Sequence, residues 1–245
     1  MTKEMENRMN TILFDLDGTL LPMDQDQFIQ LYFKNLLAHL HPFGIEPQKL
    51  IKAVNDGTIA MVTNDGSKTN EERFWEVFAN ELGTDIRKLE PEFTKFYETT
   101  FHNAKASTTQ NPLAKECLKL LQEKGYLIII ATNPLFPKVA THGRIGWAGF
   151  DVSDVSYVTT YETSSYCKPN LDYYREIIAR FDKAPKDCLM VGNDVSEDMC
   201  VSELGMQTYL VTDCLINKNN ISLDTIPHGT MEDFYEYIKS LPSCK

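Results

Sequence analysis

The 245-residue chain is short of positive charge, has no paired-cysteine spacing and contains no long apolar run. Lys and Arg number 24 against 35 Asp and Glu, a formal net charge of -11. Its mean field therefore repels phosphate backbones and anionic lipid surfaces, which argues against a nucleic-acid partner. A small phosphorylated anion, if one is bound, needs a local cation or metal to reverse that field inside the site. The six cysteines (Cys117, Cys167, Cys188, Cys200, Cys214 and Cys244) lack the CxxC spacing of a metal or redox motif and read as reduced thiols, several of them buried. No run approaches the roughly 18 apolar residues that a membrane span needs, and residues 1–10 mix charges of both signs without the apolar stretch of a signal segment. The expectation is a cytoplasmic chain with no membrane partner.

Internal repeats and low-complexity linkers are also missing. What remains is an ordinary globular balance of 42% hydrophobic, 24% charged and 11% aromatic residues. The length suits one enlarged domain, or a core with a smaller companion.

Five short β-type runs stand out: Thr11 to Phe14, Leu127 to Ala131, Val155 to Thr160, Cys188 to Val191 and Gln207 to Val211. The second and fourth are almost wholly apolar, as strands buried on both faces of a parallel sheet must be. Helical periodicity fills the gaps at Pro112 to Lys124, Asn170 to Phe181 and Ser196 to Leu204, with Gly125 and Gly205 as C-terminal stops. The pattern predicts an α/β, doubly wound parallel sheet. More than a hundred residues separate the first two strands, far more than a crossover helix needs. They read as helical over Phe28 to Leu40, Gln48 to Val54, Glu71 to Leu82 and Leu89 to Phe101. Breaks are expected at His41 to Gly44, Asn55 to Gly57 and Asn64 to Gly66.

The first strand runs into Asp15-Leu16-Asp17-Gly18-Thr19. In an open parallel sheet the ligand crevice lies beyond the carboxyl ends of the strands, so the strand end delivers both carboxylates to it. One of such a pair can attack or bind metal while its neighbour carries a proton. A lone DxD is more often a solvated turn; the apolar Ile12-Leu13-Phe14 before it and Gly18-Thr19 after it weigh against that reading.

With this motif in place the sequence resembles the haloacid dehalogenase-like (HAD) hydrolases, whose first motif is DxDGT after a buried strand. Three further family motifs have matches in order: Thr132 after the second strand, Lys168-Pro169 ahead of a helical run, and the acidic segment Gly192-Asn193-Asp194-Val195-Ser196-Glu197-Asp198 after the fourth strand. The resemblance covers most of the chain and implies a Rossmann-like HAD core over residues 1–20 and 108–245, with a helical, type C1 cap domain over 21–107. Leu20 to Asp24 and Ser107 to Pro112 are then the expected hinges.

The resemblance implies a Mg²⁺-dependent phosphatase acting on a small phosphorylated metabolite. Asp15 attacks phosphorus, and its other oxygen binds Mg²⁺. Asp17 protonates the leaving alkoxide and then activates water, while its backbone carbonyl binds the metal. Asp194 supplies the second carboxylate ligand, with Asp198 as the alternative, and Asn193 precedes it where many relatives place Gly or an acidic residue. Thr132 and the N–H of Asn133 hydrogen-bond phosphoryl oxygens, and Lys168 offsets the charge of phosphate and Asp15, oriented by Asp198. A phosphomutase sharing every core residue, and a catalytically silent binding module on the same fold, are the alternatives; oligomeric state is not fixed. In the insert, the polar loop Asn64 to Asn70 is placed to face the site through Lys68, or to be an exposed turn. Phe74, Trp75 and Phe78 read as core, and none of the five histidines is given a role. The Asn133 to Pro137 segment, with two X-Pro steps that oppose helix, is expected to form a rigid rim over the crevice.

Overall fold

The structure is a computed structural model that describes residues 9–245. The charge pattern read over residues 1–8, and the first part of the expected core segment, lie outside the described residues. Six parallel strands form one sheet: β1 (Thr11–Phe14), β2 (Leu127–Ile130), β3 (Tyr157–Val158), β4 (Cys188–Gly192), β5 (Gln207–Val211) and β6 (His228–Gly229), in the order β3-β2-β1-β4-β5-β6. This is the doubly wound arrangement expected from the apolar runs. β1 is central and its register sets Phe14 between Ile130 and Val191.

Burial on both faces explains why these strands are apolar throughout. Ile12, Phe14, Ile130 and Val191 enter one core cluster, whereas Leu13, Ile129 and Met190 enter another on the opposite face. Four α-helices fill the stretch expected as the insert: α1 (Gln25–Leu40), α2 (Pro47–Val62), α3 (Asn70–Leu82) and α4 (Glu90–Glu98). The remaining helices are α5 (Pro112–Lys124), α6 (Lys138–Trp147), α7 (Leu171–Arg180) and α8 (Met231–Ser240). α5 and α8 pack together on the Phe14 face, where Phe14 and Phe234 meet edge-on at 5.7 Å. α7 covers the other face with Tyr173, Tyr174 and Ile177. Among the described residues no helix is long and apolar enough to cross a membrane.

The chain leaves and re-enters the sheet region through two segments that run side by side. Met23 bridges Thr108 in antiparallel fashion, Asp24 N–H donates to Ser107 O at 2.9 Å, and Thr109 N–H donates to Pro22 O at 3.0 Å. The two expected linkers are thus laced to each other by backbone bonds.

Several elements depart from expectation. α2 runs through Asn55-Asp56-Gly57, where a break is expected. Gly57 is there for contact rather than for a turn: a Cβ on it would stand 2.6 Å from Cδ2 of Phe74 on α3. Lys52 and Asp56 pair at 2.6 Å along the same helix. The helix expected over Ser196 to Leu204 is only a 3-10 helix, Met199–Leu204. Its first residues are spent in a turn in which Asp194 Oδ1 accepts from the N–H groups of Ser196 and Glu197. β3 is shorter than the Val155 to Thr160 run that predicts it, and a 3-10 turn, Val152–Asp154, precedes it. α6, β6 and α8 have no counterpart in the sequence expectation.

Candidate active site

Asp15 stands one residue past β1 and is tied to the neighbouring strand by its N–H, which donates to Val191 O at 2.8 Å. Both its carboxylate oxygens are engaged. Oδ1 accepts from Lys168 Nζ at 2.8 Å, and Oδ2 accepts from Thr19 Oγ1 at 3.1 Å. Thr19 Oγ1 lies equally close to Asn193 Oδ1, whose side-chain amide donates to Cys214 O at 2.6 Å. Asn193 therefore braces the turn that carries Asp15. Gly18 makes that turn possible: its φ is +88°, and a Cβ there would collide with Asn193.

Lys168 is almost completely buried between two carboxylates, Asp15 and Asp198, the latter at 2.6 Å. Burial works against its charge, yet Asp15 and Asp198 together hold its pKa well above the ordinary lysine value. Burial pushes the Asp198 carboxyl up to about 7, with Lys168 opposing and Asp15 reinforcing the rise. Asp198 Oδ2 also accepts the Asp194 N–H at 3.0 Å. Both Asp198 oxygens are thus committed to Lys168 and to the loop after β4, whereas Asp194, which borders the same cavity, caps the turn with Oδ1. Gly192 has no room for a side chain, since a Cβ would run into Asp198.

Thr132 follows β2 by two residues and is held by its carbonyl, which accepts from Thr159 Oγ1 at 2.7 Å and Tyr173 OH at 2.8 Å. Asn133 spans two of the other parts: its Oδ1 accepts the Lys168 N–H at 3.3 Å and its Nδ2 donates to Glu197 at 3.2 Å. The structure thus brings Asp15, Asp17, Thr132, Asn133, Asn193, Asp194 and Asp198 to the wall of one cavity of about 800 Å³, with Lys168 directly behind Asp15.

Asp17 has a partner that no motif foretells. Its Oδ2 accepts from the guanidinium of Arg144, on α6. Arg144 is itself buried, with its guanidinium carbon 4.6 Å above the ring of Phe136. Asp17 Oδ1 is buried and has no hydrogen-bond partner among the described residues. Burial raises the Asp17 pKa, Arg144 and Lys168 opposing it and Asp15 adding to it.

The donor set can be tested against a hard divalent cation. Among the described residues no three His, Cys, Asp or Glu side chains gather into a closed cage. Mg²⁺ does not require one, because it is held by one or two carboxylates and completes its shell with water and phosphate. Asp15 and Asp194 side chains beside the Asp17 segment, with an orphaned carboxylate oxygen on Asp17, fit that chemistry.

The cavity continues from these groups into the inserted helices. Phe28 and Tyr32 of α1, Trp75 of α3 and Phe93 of α4 line it, as does Phe136 after β2. Trp75 and Phe74 therefore border the cavity as well as the helical core, which their periodicity alone does not separate. Lys68, expected to reach a bound anion, instead pairs with Glu76 at 2.9 Å outside this cavity. The rest of its loop docks on the sheet domain through Asn70, whose side-chain amide faces Pro134 O, Tyr166 O and Cys167 Sγ at 3.2 to 3.3 Å. His142, on α6, also borders the cavity, and burial followed by Lys138 lowers its pKa.

A family model described as haloacid dehalogenase-like hydrolase matches residues 9–199. No curated protein matches the chain. Among solved structures, the fold is similar to a HAD phosphatase from Thermococcus onnurineus, at 18% identity and a TM-score of 0.59 over 96% of this chain and 100% of that one. It is similar to a 2-haloacid dehalogenase from Pseudomonas syringae pv. Tomato DC3000, at 15% identity and a TM-score of 0.63 over 94% and 98% of the two chains. A HAD-hydrolase from Bacillus subtilis, YfnB, solved bound to magnesium, matches at 17% identity and a TM-score of 0.56 over 95% and 99%. At these identities the likeness is one of fold.

Proposed function

The chain belongs to the haloacid dehalogenase-like hydrolases, and we propose that within this family it is a Mg²⁺-dependent phosphatase that hydrolyses a small phosphomonoester through an aspartyl-phosphate on Asp15. The observation that carries this reading is the second carboxylate, Asp17, on the same cavity wall as Asp15 and Asp194. Displacing halide from carbon needs a nucleophile but gives a neighbouring acid nothing to protonate. Phosphoryl transfer to and from an alcohol needs both.

The roles are those that the family resemblance implies, and the arrangement of the cavity wall is consistent with them. An Asp15 oxygen attacks phosphorus in line with the ester oxygen, the P–O bond to the alcohol breaks, and Asp17 gives its proton to the departing oxygen. Asp17 then takes a proton from water as that water attacks phosphorus, which releases phosphate and restores Asp15. Lys168 holds Asp15 in place from behind and lends its charge to the phosphoryl group, while Thr132 and the Asn133 N–H front the same space. Asp15, the Asp17 carbonyl and Asp194 would hold Mg²⁺, which when bound offsets the negative charge of the phosphoryl oxygens.

The test is phosphate release from a panel of phosphomonoesters with Mg²⁺ and with chelator. Turnover should require the metal, and Asp15→Asn should reduce it by at least a thousandfold with an unchanged circular-dichroism spectrum. Release of halide from a 2-haloacid in chelator, with no phosphate from any ester, would place the chain with the dehalogenases instead. Isomerisation of a sugar phosphate without free phosphate would make it a mutase.

A further inference from the structure

We propose that the alcohol part of the substrate is an apolar group of aromatic size that carries no second negative charge. The inference rests on the phosphatase reading above and adds a substrate class to it.

Only one end of the cavity of about 800 Å³ is occupied by the carboxylates that handle phosphate. A volume of that order is suited to a drug-sized organic body rather than to a phosphoryl group alone. Beyond Asp15 the wall is built from Phe28, Tyr32, Trp75, Phe93 and Phe136, contributed by three inserted helices and the segment after β2. Phe28, Tyr32, Trp75 and Phe93 are 6%, 8%, 3% and 8% exposed and belong to the main core cluster, so the cavity is bounded by the edge of a packed aromatic group. An apolar guest gains there what it gains in a protein core.

The hydroxyls that the inserted helices α1, α2 and α4 bring to this wall are already used. Those of Tyr32 and Tyr97 bond each other at 3.2 Å. Thr58 donates to Val54 O at 2.8 Å and Thr94 to Glu90 O at 3.2 Å. A sugar placed against these helices would bring several hydroxyls to a face whose own hydroxyls are bonded elsewhere, and each unpaired one opposes binding.

Charge decides the second half of the proposal. Glu71, Glu90 and Glu162 border the cavity together with Trp75 and Tyr161. Burial, then Glu162 and Glu90, raise the Glu71 pKa, which places these three acids in one another's field. Arg87, paired with Glu90 at 3.1 Å, and Lys138 on the cavity wall leave that group net negative. Glu162 Oε2 is buried without a hydrogen-bond partner among the described residues. A donor on the substrate is accepted at such an atom, and a carboxylate or second phosphate is repelled.

The experiment compares kcat/KM of the full chain with Mg²⁺ on one acyl phosphate and three phosphomonoesters. Acetyl phosphate has almost no organic body and reports the phosphoryl chemistry by itself. 2-Phenylethyl phosphate, its para-carboxylate analogue and glucose 6-phosphate have comparable primary-alcohol leaving groups and differ in the body. Acetyl phosphate should be hydrolysed. 2-Phenylethyl phosphate should exceed both glucose 6-phosphate and the carboxylated analogue by at least tenfold. Glu71→Gln should narrow the gap to the carboxylated analogue at least threefold, and Trp75→Leu the gap to glucose 6-phosphate. If Trp75→Leu loses its cooperative melt, Phe93→Leu carries the same comparison. Hydrolysis of acetyl phosphate with glucose 6-phosphate or the carboxylated ester equal to or better than 2-phenylethyl phosphate overturns the inference and leaves the phosphatase reading standing. Failure on all four, acetyl phosphate included, overturns both.

Discussion

Arg144 is the residue whose removal separates a role in folding from a role in the reaction. It is the one cation bonded to Asp17 among the described residues, and it lies under the rim with its face on Phe136. Truncating it to Met keeps the stem and the ring contact but strands a carboxylate whose Oδ1 already has no partner. Breaking a fully buried pair costs about 3–5 kcal/mol. Because the Asp17 side chain retains 20% exposure, the expected loss is at the lower end, about 3 kcal/mol. Urea midpoints of wild type, Arg144→Met, and Arg144→Met combined with Asp17→Asn measure this. The double variant should recover part of the loss, and equal stability of all three would show that the pair contributes nothing. Arg144 was illegible in the sequence because no spacing rule connects an arginine on α6 to a strand-end aspartate 127 positions earlier. Asp15 and Asp17 were legible from the apolar strand they follow, whereas Thr132, Lys168 and Asp194 stood out only as a set, through the family resemblance. Their partners Thr19, Asn193 and Asn133 bind mostly sideways, to one another and to backbone, and only coordinates reveal that.

At the scale of elements, the inserted helices meet the sheet region through aromatic packing on Phe136 and Trp147 and through polar contacts gathered at Asn70. This residue is fully buried at the start of α3, with its amide near three core acceptors, and the N–H groups of Asn70 and Glu71 donate to Ser164 O and Tyr161 O. Asn64 adds a bond to the Asn70 oxygen at 2.9 Å. Asn70→Ala removes the side-chain bonds and leaves the backbone pair, a loss of about 1–3 kcal/mol in how firmly the helices sit on the core. Since that seating closes the cavity, KM should rise several-fold with a smaller change in kcat, and trypsin should cut faster near the linkers; unchanged KM and proteolysis rates would show that the Asn70 side chain does not hold the helices in place. Elements with strong local signals, such as α3 with its Thr69 capping box and α5 ending at Gly125, matched their expected spans. α2 did not, because the signal that reads as a turn at Gly57 is a packing requirement imposed by Phe74 on another helix. α6 was hidden for a related reason: Pro137, read as opposing helix, is the residue from which the helix starts.

For the molecule as a whole, an excess of acid and a set of unpaired thiols make alkaline pH the condition to which the fold is most exposed. All six cysteines are free. Burial pushes the thiols of Cys117, Cys167, Cys188 and Cys200 up to about 12, each from an ordinary value of 9.0. At pH 8 only about one in ten thousand of such a thiol is the reactive thiolate, against about a tenth of an unfolded cysteine. The sign follows directly: a folded pKa raised above the unfolded one contributes stability below about pH 9, and that contribution drains away as the pH climbs from 9 towards 12, because the unfolded chain ionises its thiols first. A chromogenic disulfide reagent at pH 8 should therefore titrate Cys214 and Cys244 quickly in the native protein and all six in denaturant. Urea midpoints should fall steadily between pH 8.5 and 10, and a variant with Cys117 and Cys188 replaced by Ala, though less stable at pH 7 for lost packing, should fall less steeply. Rapid native titration of all six, or a midpoint that is flat across that range, would mean that the thiols reach solvent and that the two faces of the sheet are not sealed as the packing on Phe14 and Leu13 implies.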